Sequence, residues 1–310
     1  MTARSTPKKQ ATNTWARAGI IAGSLVVLLV IAVFVARWLV GLESVKTWLE
    51  TYTGHSALPT GAPVGFPAWL GWQHFLNVFF LVLIVRTGWQ VRTNTRPAAH
   101  WVRNNKGLVR TKGAPTKISL DLWFHLTLDA LWVLNGIVFI IVLFISGQWV
   151  RIVPTSWDIF PNALSAGLQY LSLDWPTETG WVNYNALQVL AYFVTVFIAA
   201  PLAIATGLRM SGAWPKQAKA LNKAYPMELA RALHFPVMIY FVAFTVVHVA
   251  LVLATGVLRN LNHMYAANDS AGFAGLIIFA VSIVVIVGVW FLAQPVFLRP
   301  LASLTGKVGK

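Results

Sequence analysis

The chain has 310 residues, 57% of them hydrophobic and only 11% charged, with a mean hydropathy of +0.65. A soluble domain of this size carries about a quarter charged residues, so a soluble globular protein is excluded and an all-α integral membrane protein is expected. The formal net charge of +15 might suggest a nucleic-acid binder. The basic residues fall between apolar stretches, however, which is a signal of membrane topology and not of a nucleic-acid surface.

There is no cysteine, which rules out disulfides, covalently attached c-type haem and cysteine-ligated iron–sulfur clusters within the chain. Residues 1–17 form a basic tail, and the apolar run of 18–40 follows it. The pair has the look of a secretory leader. The run is nevertheless long enough to span a bilayer and lacks a small-residue cleavage site, so it reads as a retained helix. Five more apolar stretches of spanning length lie at 69–91, 119–146, 186–208, 229–257 and 272–294, and a tail of 295–310 closes the chain.

The loops alternate in charge. The N-terminal tail carries Arg4, Lys8, Lys9 and Arg17, and the second loop carries Arg92, Arg96, Arg103, Lys106, Arg110, Lys112 and Lys117 with no acid. The fourth loop has Arg209, Lys216, Lys219 and Lys223, and the C-terminal tail has Arg299, Lys307 and Lys310. The other side has only Arg37, Lys46, Arg151 and Arg259. By the positive-inside rule both termini are expected in the cytoplasm of a multi-pass cell-membrane protein. Loops one (41–68) and three (147–185) are rich in aromatics and prolines, including Trp149, Trp157, Trp175 and Trp181. These read as interfacial anchors, with a docking surface for an external subunit as the alternative. No internal repeat and no soluble domain is evident.

Orientation gives each intramembrane histidine a depth. His74 lies near the outer end of span two, and His125 near the inner end of span three. Span five carries two, His234 near the inner face and His248 fourteen residues later. Fourteen steps at 100° return a side chain to within about 40° of its starting direction and move it roughly 21 Å along the axis. Depth therefore pairs His125 with His234 inside, and His74 with His248 outside. Neutral imidazole is the nitrogen donor that suits iron and tolerates a bilayer. Two bis-histidine b-type haems between helices are the reading this pattern favours. His55, His100 and His263 fall in loops and read as solvated surface residues. Gly88, fourteen residues after His74, and Gly136, eleven after His125, lie where a helix could approach a flat porphyrin closely. Ordinary helix packing is the alternative for both.

The residues resemble the dihaem cytochrome b subunits, b561-like in their four-helix core, that anchor NiFe hydrogenases, respiratory formate dehydrogenases and thiosulfate-reductase-type molybdoenzymes. The resemblance rests on His74 in QHFLN, His125 in WFHLT, and His234 and His248 in HFPVMIYFVAFTVVH, with a histidine-free helix at 186–208, and it covers about 69–257. It implies two haem b groups, the iron of one held by His74 and His248 and that of the other by His125 and His234. It also implies electron transfer between a catalytic redox subunit with iron–sulfur clusters or another redox centre and a diffusible quinone, and no bond-breaking site beyond that quinone chemistry. Spans one and six are additions to the core, and the added first helix turns the core over, so the partner's side does not follow from the family.

Asp129, one turn beyond His125 on the same face, is the candidate quinone-linked proton group, with a hydrogen bond to a neighbour or a pair with Arg86 as the alternative. Arg86, Arg92 and Arg231, near the inner ends of spans two and five, are candidates for haem propionates or lipid headgroups. Two other functions remain open. A stand-alone b561-type or ferric-reductase-like carrier would more often have histidine pairs on two helices. A haem-free transporter or scaffold would more often have broken helices and related halves.

Overall fold

The computed structural model describes residues 14–106, 115–175, 180–215 and 217–309. Most of the basic tail and Arg110, Lys112, Lys216 and Lys310 from the charge pattern lie outside them. The first span is α1 (Thr14–Gly41), and a short helix, α2 (Glu43–Thr51), follows it. The second span, α3 (Ala68–Thr93), begins directly after Pro67, whose extended backbone stops the chain from entering the helix earlier. Two strands, β1 (His100–Arg103) and β2 (Lys117–Ser119), lead to α4 (Leu120–Ile145), which Ser119 caps by accepting from the Leu122 N–H at 3.1 Å. A 3-10 turn at Gln148–Arg151 and α5 (Ile159–Ser172) come next.

The fourth span is composite. It runs from α6 (Ala186–Phe193), opened by an Asn185–Gln188 capping box, through a π turn at Val194–Ala199 into α7 (Ala200–Met210). Pro201 has no N–H and crowds the carbonyl four residues back. The turn before it widens, and the Ala200 N–H reaches the Thr195 carbonyl, five residues away. A short helix, α8 (Lys219–Ala224), precedes α9 (Met227–Ala254). Then come α10 (Val257–Ala266), the sixth span α11 (Ala274–Leu292), α12 (Pro295–Ser303) and a last strand, β3 (Gly306–Gly309). Among the described residues six helices are thus long and apolar enough to cross a membrane, and each ends within a turn of the limits set by the apolar runs. The protein is an all-α, multi-pass membrane protein.

Among the membrane-spanning helices, close backbone packing is greatest within two pairs, α3 with α4 and α7 with α9. Phe80, Leu83 and Leu128 form the core of the first pair, and Ala199, Val237 and Phe241 that of the second. Trp132 packs against both cores and bridges the seam between them.

The ends of the bundle are more built than connectors would be. At the end where α3 finishes and α4 begins, β1 pairs antiparallel with β2 on one side and β3 on the other. Trp101 ties this small sheet to α12 through its indole N–H and the Ala302 carbonyl, 3.0 Å apart. Loop two and the C-terminal tail are therefore one folded unit, and His100 lies in a strand. At the opposite end, loops one and three form a helical cap. The Trp48 indole donates to Ser165 at 3.0 Å, and the Ser56 hydroxyl to Asp158 at 2.7 Å. Trp149 stacks on Phe144 and Trp181 packs on Phe66 and His263, whereas Trp157 is exposed.

His263 departs from the sequence reading. It is 3% exposed, on α10, because that helix lays the face carrying Leu261, Asn262 and His263 onto the bundle. Its Nε2 meets Asp269 at 2.7 Å, and Arg259 meets the same carboxylate at 2.8 Å. The hydrogen bonds from Arg259 and then His263 pull the Asp269 carboxyl from 3.8 down to about 2. A depressed carboxyl stabilises the fold above its ordinary value, and the contribution drains away as pH falls through the folded value. The loss should therefore fall between pH 3.8 and about 2. Asp269→Asn is expected to remove this segment of the acid limb in thermal melts of the solubilised protein; an unchanged limb would show that the cluster contributes nothing.

Candidate functional site

Helix α9 carries both ends of the site. His234 lies in its third turn and His248 near its end. Because α3 and α4 run in opposite directions, His74 near the start of α3 and His125 near the start of α4 fall at opposite ends of the bundle. Each then faces a histidine of α9 across the seam. The rings of His125 and His234 are centred 6.5 Å apart, and those of His74 and His248 6.3 Å apart.

At the end near the basic loops, both imidazoles are fixed in the same way. His125 is buried, and its Nδ1 lies 2.9 Å from the Thr87 hydroxyl on α3. That hydroxyl gives its only proton to the helix carbonyls of Leu83 at 2.8 Å or Ile84 at 3.1 Å. Its oxygen is left to accept from Nδ1–H, which keeps the lone pair on Nε2 free to face the seam. Thr206 on α7 does the same for His234. It lies 2.8 Å from Nδ1, and its own proton goes back to Leu202 or Ala203. The glycine after Thr87 clears room for the His125 ring, whereas that after Thr206 lies at ordinary contact distance from the His234 ring. A Cβ at Gly88 would stand 3.2 Å from the Cε1 of His125, and one at Gly207 would stand 3.6 Å from that of His234. A Thr-Gly step thus occurs twice, once on each side of the seam.

The other end is lined differently. The Nδ1 of His74 lies 3.2 Å from the Tyr265 hydroxyl of α10. His248 stacks on Phe244, one turn earlier, and meets the edge of Tyr192. Between the two levels Trp132 crosses to Phe241 at 6.2 Å, edge to face, with its indole N–H held by Asn77 at 3.1 Å. Phe241 is midway between the two histidines of α9. The seam is therefore divided into two compartments by an aromatic partition.

The remaining sequence candidates are placed as follows. The Asp129 carboxylate is 3.6 Å from the Nε2 of His125, too far for a hydrogen bond, and makes no pair with Arg86. Arg86 turns to α11, where it donates to the Ala293 carbonyl at 3.0 Å and covers Trp290. The Arg92 guanidinium lies 4.2 Å above the ring of Phe235, next to His234, and Arg231 is exposed. A Cβ at Gly136 would meet open space. His55, His100 and His263 join neither pair. Sequence reasoning missed Thr87, Thr206, Gly207, Tyr192 and Tyr265. The repeated Thr-Gly step was the available signal for the first three. It is a weak one, since Thr-Gly also occurs at 53–54, 60–61, 179–180, 255–256 and 305–306, and only its place inside an apolar helix distinguishes it.

The family described as prokaryotic cytochrome b561 matches this chain over residues 65–267, which takes in all four paired histidines. No curated protein and no solved structure matches it. The family implies haem b, and the residues present fit that group. Two metal–imidazole bonds of about 2 Å laid end to end leave the ring centres roughly 6 Å apart, as both pairs have them. Two imidazoles per site suit an iron whose other positions a porphyrin fills.

Replacing Thr87 or Thr206 by Val leaves a buried Nδ1–H without an acceptor, a loss of about 1–3 kcal/mol. Each change is expected to weaken retention of iron porphyrin at the His125–His234 pair by roughly 10–100-fold, leaving the His74–His248 pair unaffected. Haem content during graded detergent washing measures this, and undiminished retention in both variants would rule out the threonine locks.

Proposed function

As the chain belongs to the prokaryotic cytochrome b561 family, and is with it a transmembrane haem b electron carrier, we propose that it is a two-haem wire serving a quinone-linked redox complex. The observation that carries this reading is the facing of two imidazole pairs, at 6.3 and 6.5 Å, on two levels of one seam. His74 and His248 hold one haem, and His125 and His234 the other. Each bound haem supplies one-electron exchange at its iron. The chain's own part is to fix the imidazoles, to keep water out of an apolar seam and to set the separation of the two levels through the rise of α9.

A catalytic subunit of molybdoenzyme or hydrogenase type, with its own iron–sulfur clusters or other redox centre, exchanges electrons with one haem, and quinone is reduced or quinol oxidised near the other. Both termini lie in the cytoplasm, which puts the His125–His234 pair near the inner face of the cell membrane. Asp129 is the quinone-linked proton group there. Arg92, against the ring next to His234, together with Arg231 and Arg86, carries positive charge near the propionates of that haem, and Gly88 and Gly136 admit the porphyrin faces.

The reduced-minus-oxidised spectrum of the purified protein is expected to show a b-type α-band from two haems per chain. His248→Ala should lose one and leave the other, and His55→Ala should lose neither. Absence of the band would end the haem reading, and equal loss from the two variants would overturn the ligand set. A reporter that is active only in the cytoplasm is expected to work when fused after Lys310; activity only of a periplasmic reporter there would reverse the assigned depths.

A further inference from the structure

The first span and the cap enclose a groove. Arg37 on α1 reaches across to α5, where its Nε–H donates to the Ser172 carbonyl at 3.0 Å. On the bilayer side of that bond the two helices part. Leu29, Val33 and Phe34 of α1 and Tyr170 and Leu171 of α5 line an open apolar cleft of about 300 Å³. On the other side a second hollow, of about 280 Å³, is lined by Arg37, Val40, Ser172 and Asp174. Leu173 lines both and joins them into one groove.

Depth gives the two parts different chemistry. Leu29 is eight residues before Arg37, about 12 Å deeper along α1, so the cleft lies within the span, at hydrocarbon level. The hollow lies at headgroup level, one turn from the end of α1 at Gly41, where Trp38 and Trp175 adjoin Arg37 and Asp174 in sequence. It holds one cation and one carboxylate, both exposed and not closed on each other in an ion pair. The joint between the parts is strained. Leu173 has a left-handed backbone, φ 60° and ψ 19°, which a bulky residue seldom adopts. Strain of this kind persists where a residue is put to use, and here it sets a leucine that is 55% exposed into the wall of the groove.

We propose that the groove between α1 and α5 binds one phospholipid with a zwitterionic, primary-ammonium headgroup. One acyl chain lies in the cleft against Leu29, Val33 and Leu171, and the second runs in the bilayer. The phosphate meets the Arg37 guanidinium, and the ammonium donates to Asp174. A glycerol headgroup offers Asp174 no cation, and a trimethylated one offers it no N–H, so the charges of the hollow select the ethanolamine class. The lipid fastens the first span to the cap. That span packs on α5 and α2, and none of its most apolar stretch is buried within the protein.

The test is lipid retention by the purified full chain. The protein is stripped in detergent, loaded from vesicles of equal parts phosphatidylethanolamine, phosphatidylcholine and phosphatidylglycerol, washed, and read by native mass spectrometry. One ethanolamine lipid per chain is expected to be retained, with a preference of roughly tenfold over the other two, as one charge-assisted hydrogen bond provides. Asp174→Asn should erase the preference, Arg37→Gln should lower retention of all three lipids, and Val33→Trp should fill the cleft and abolish retention. If Arg37→Gln does not assemble, Asp174→Asn and Val33→Trp decide. Equal retention of the three lipids by the unaltered chain overturns the proposal, as does full retention in Val33→Trp. The same loss of preference in Glu178→Gln, with Asp174→Asn unchanged, would take the ammonium away from Asp174 and also overturn it. A dimer that Val33→Trp dissolves would give the groove to a second copy of the chain and overturn it as well.

Discussion

The structure depends on one constraint. A nitrogen lone pair at membrane depth has no water to turn to, so it must be given a partner or a use. Four imidazoles meet that constraint across a single seam. The helix pairs α3–α4 and α7–α9 bury their own apolar faces internally. What remains between them is a gap whose width is set by rings that face each other. At the basic end the outward nitrogens are tied off by threonines that have already spent their protons on their own helices. This one-way bonding decides the tautomer, and with it which nitrogen is offered to the gap.

Much of this was legible in the sequence because it is one-dimensional. The length of an apolar run fixes a span, and loop charge fixes an order of depth. A spacing of fourteen fixes one face of one helix. The matching of His74 with His248 and of His125 with His234 needed only which end of its span each residue occupies, and the folded chain brings those same residues opposite one another. The run limits were read without knowing the caps, yet Pro67, Ser119, Asn185 and Pro226 place the starts of four spans within a turn of them.

What stayed hidden depends on which helix lies beside which. Nothing in the sequence says that Thr87 on the second span serves a histidine of the third, or that Thr206 of the fourth serves one of the fifth. Neighbour identity is a property of packing, not of periodicity. The same holds for His263. In sequence it is one histidine in a short polar stretch. On α10 it is a buried group because Asp269, beyond the end of that helix, turns back to it. The sheet formed by residues 100–103, 117–119 and 306–309 joins segments about two thirds of the chain apart. Short strands with so few apolar positions have no periodicity of their own to read.

The two compartments are chemically unequal. The His125–His234 compartment has a carboxylate, Asp129, on its wall. The cap at the His74–His248 end contains the buried guanidinium of Arg151, against the ring of Tyr184. Where Asp129 is ionised, it favours the oxidised and more positive form of an iron near it, while Arg151 favours the reduced form of an iron on its side. In a medium of low dielectric these terms are felt over longer distances than in water. Two haems bound as proposed would not be interchangeable stations. At the basic end the charge of Asp129 acts against those of Arg86, Arg92 and Arg231, so the charges on that side partly offset one another. The partition of Trp132 and Phe241 keeps the compartments apart without a charge of its own, so these charges act at the two ends of the seam and not at its middle.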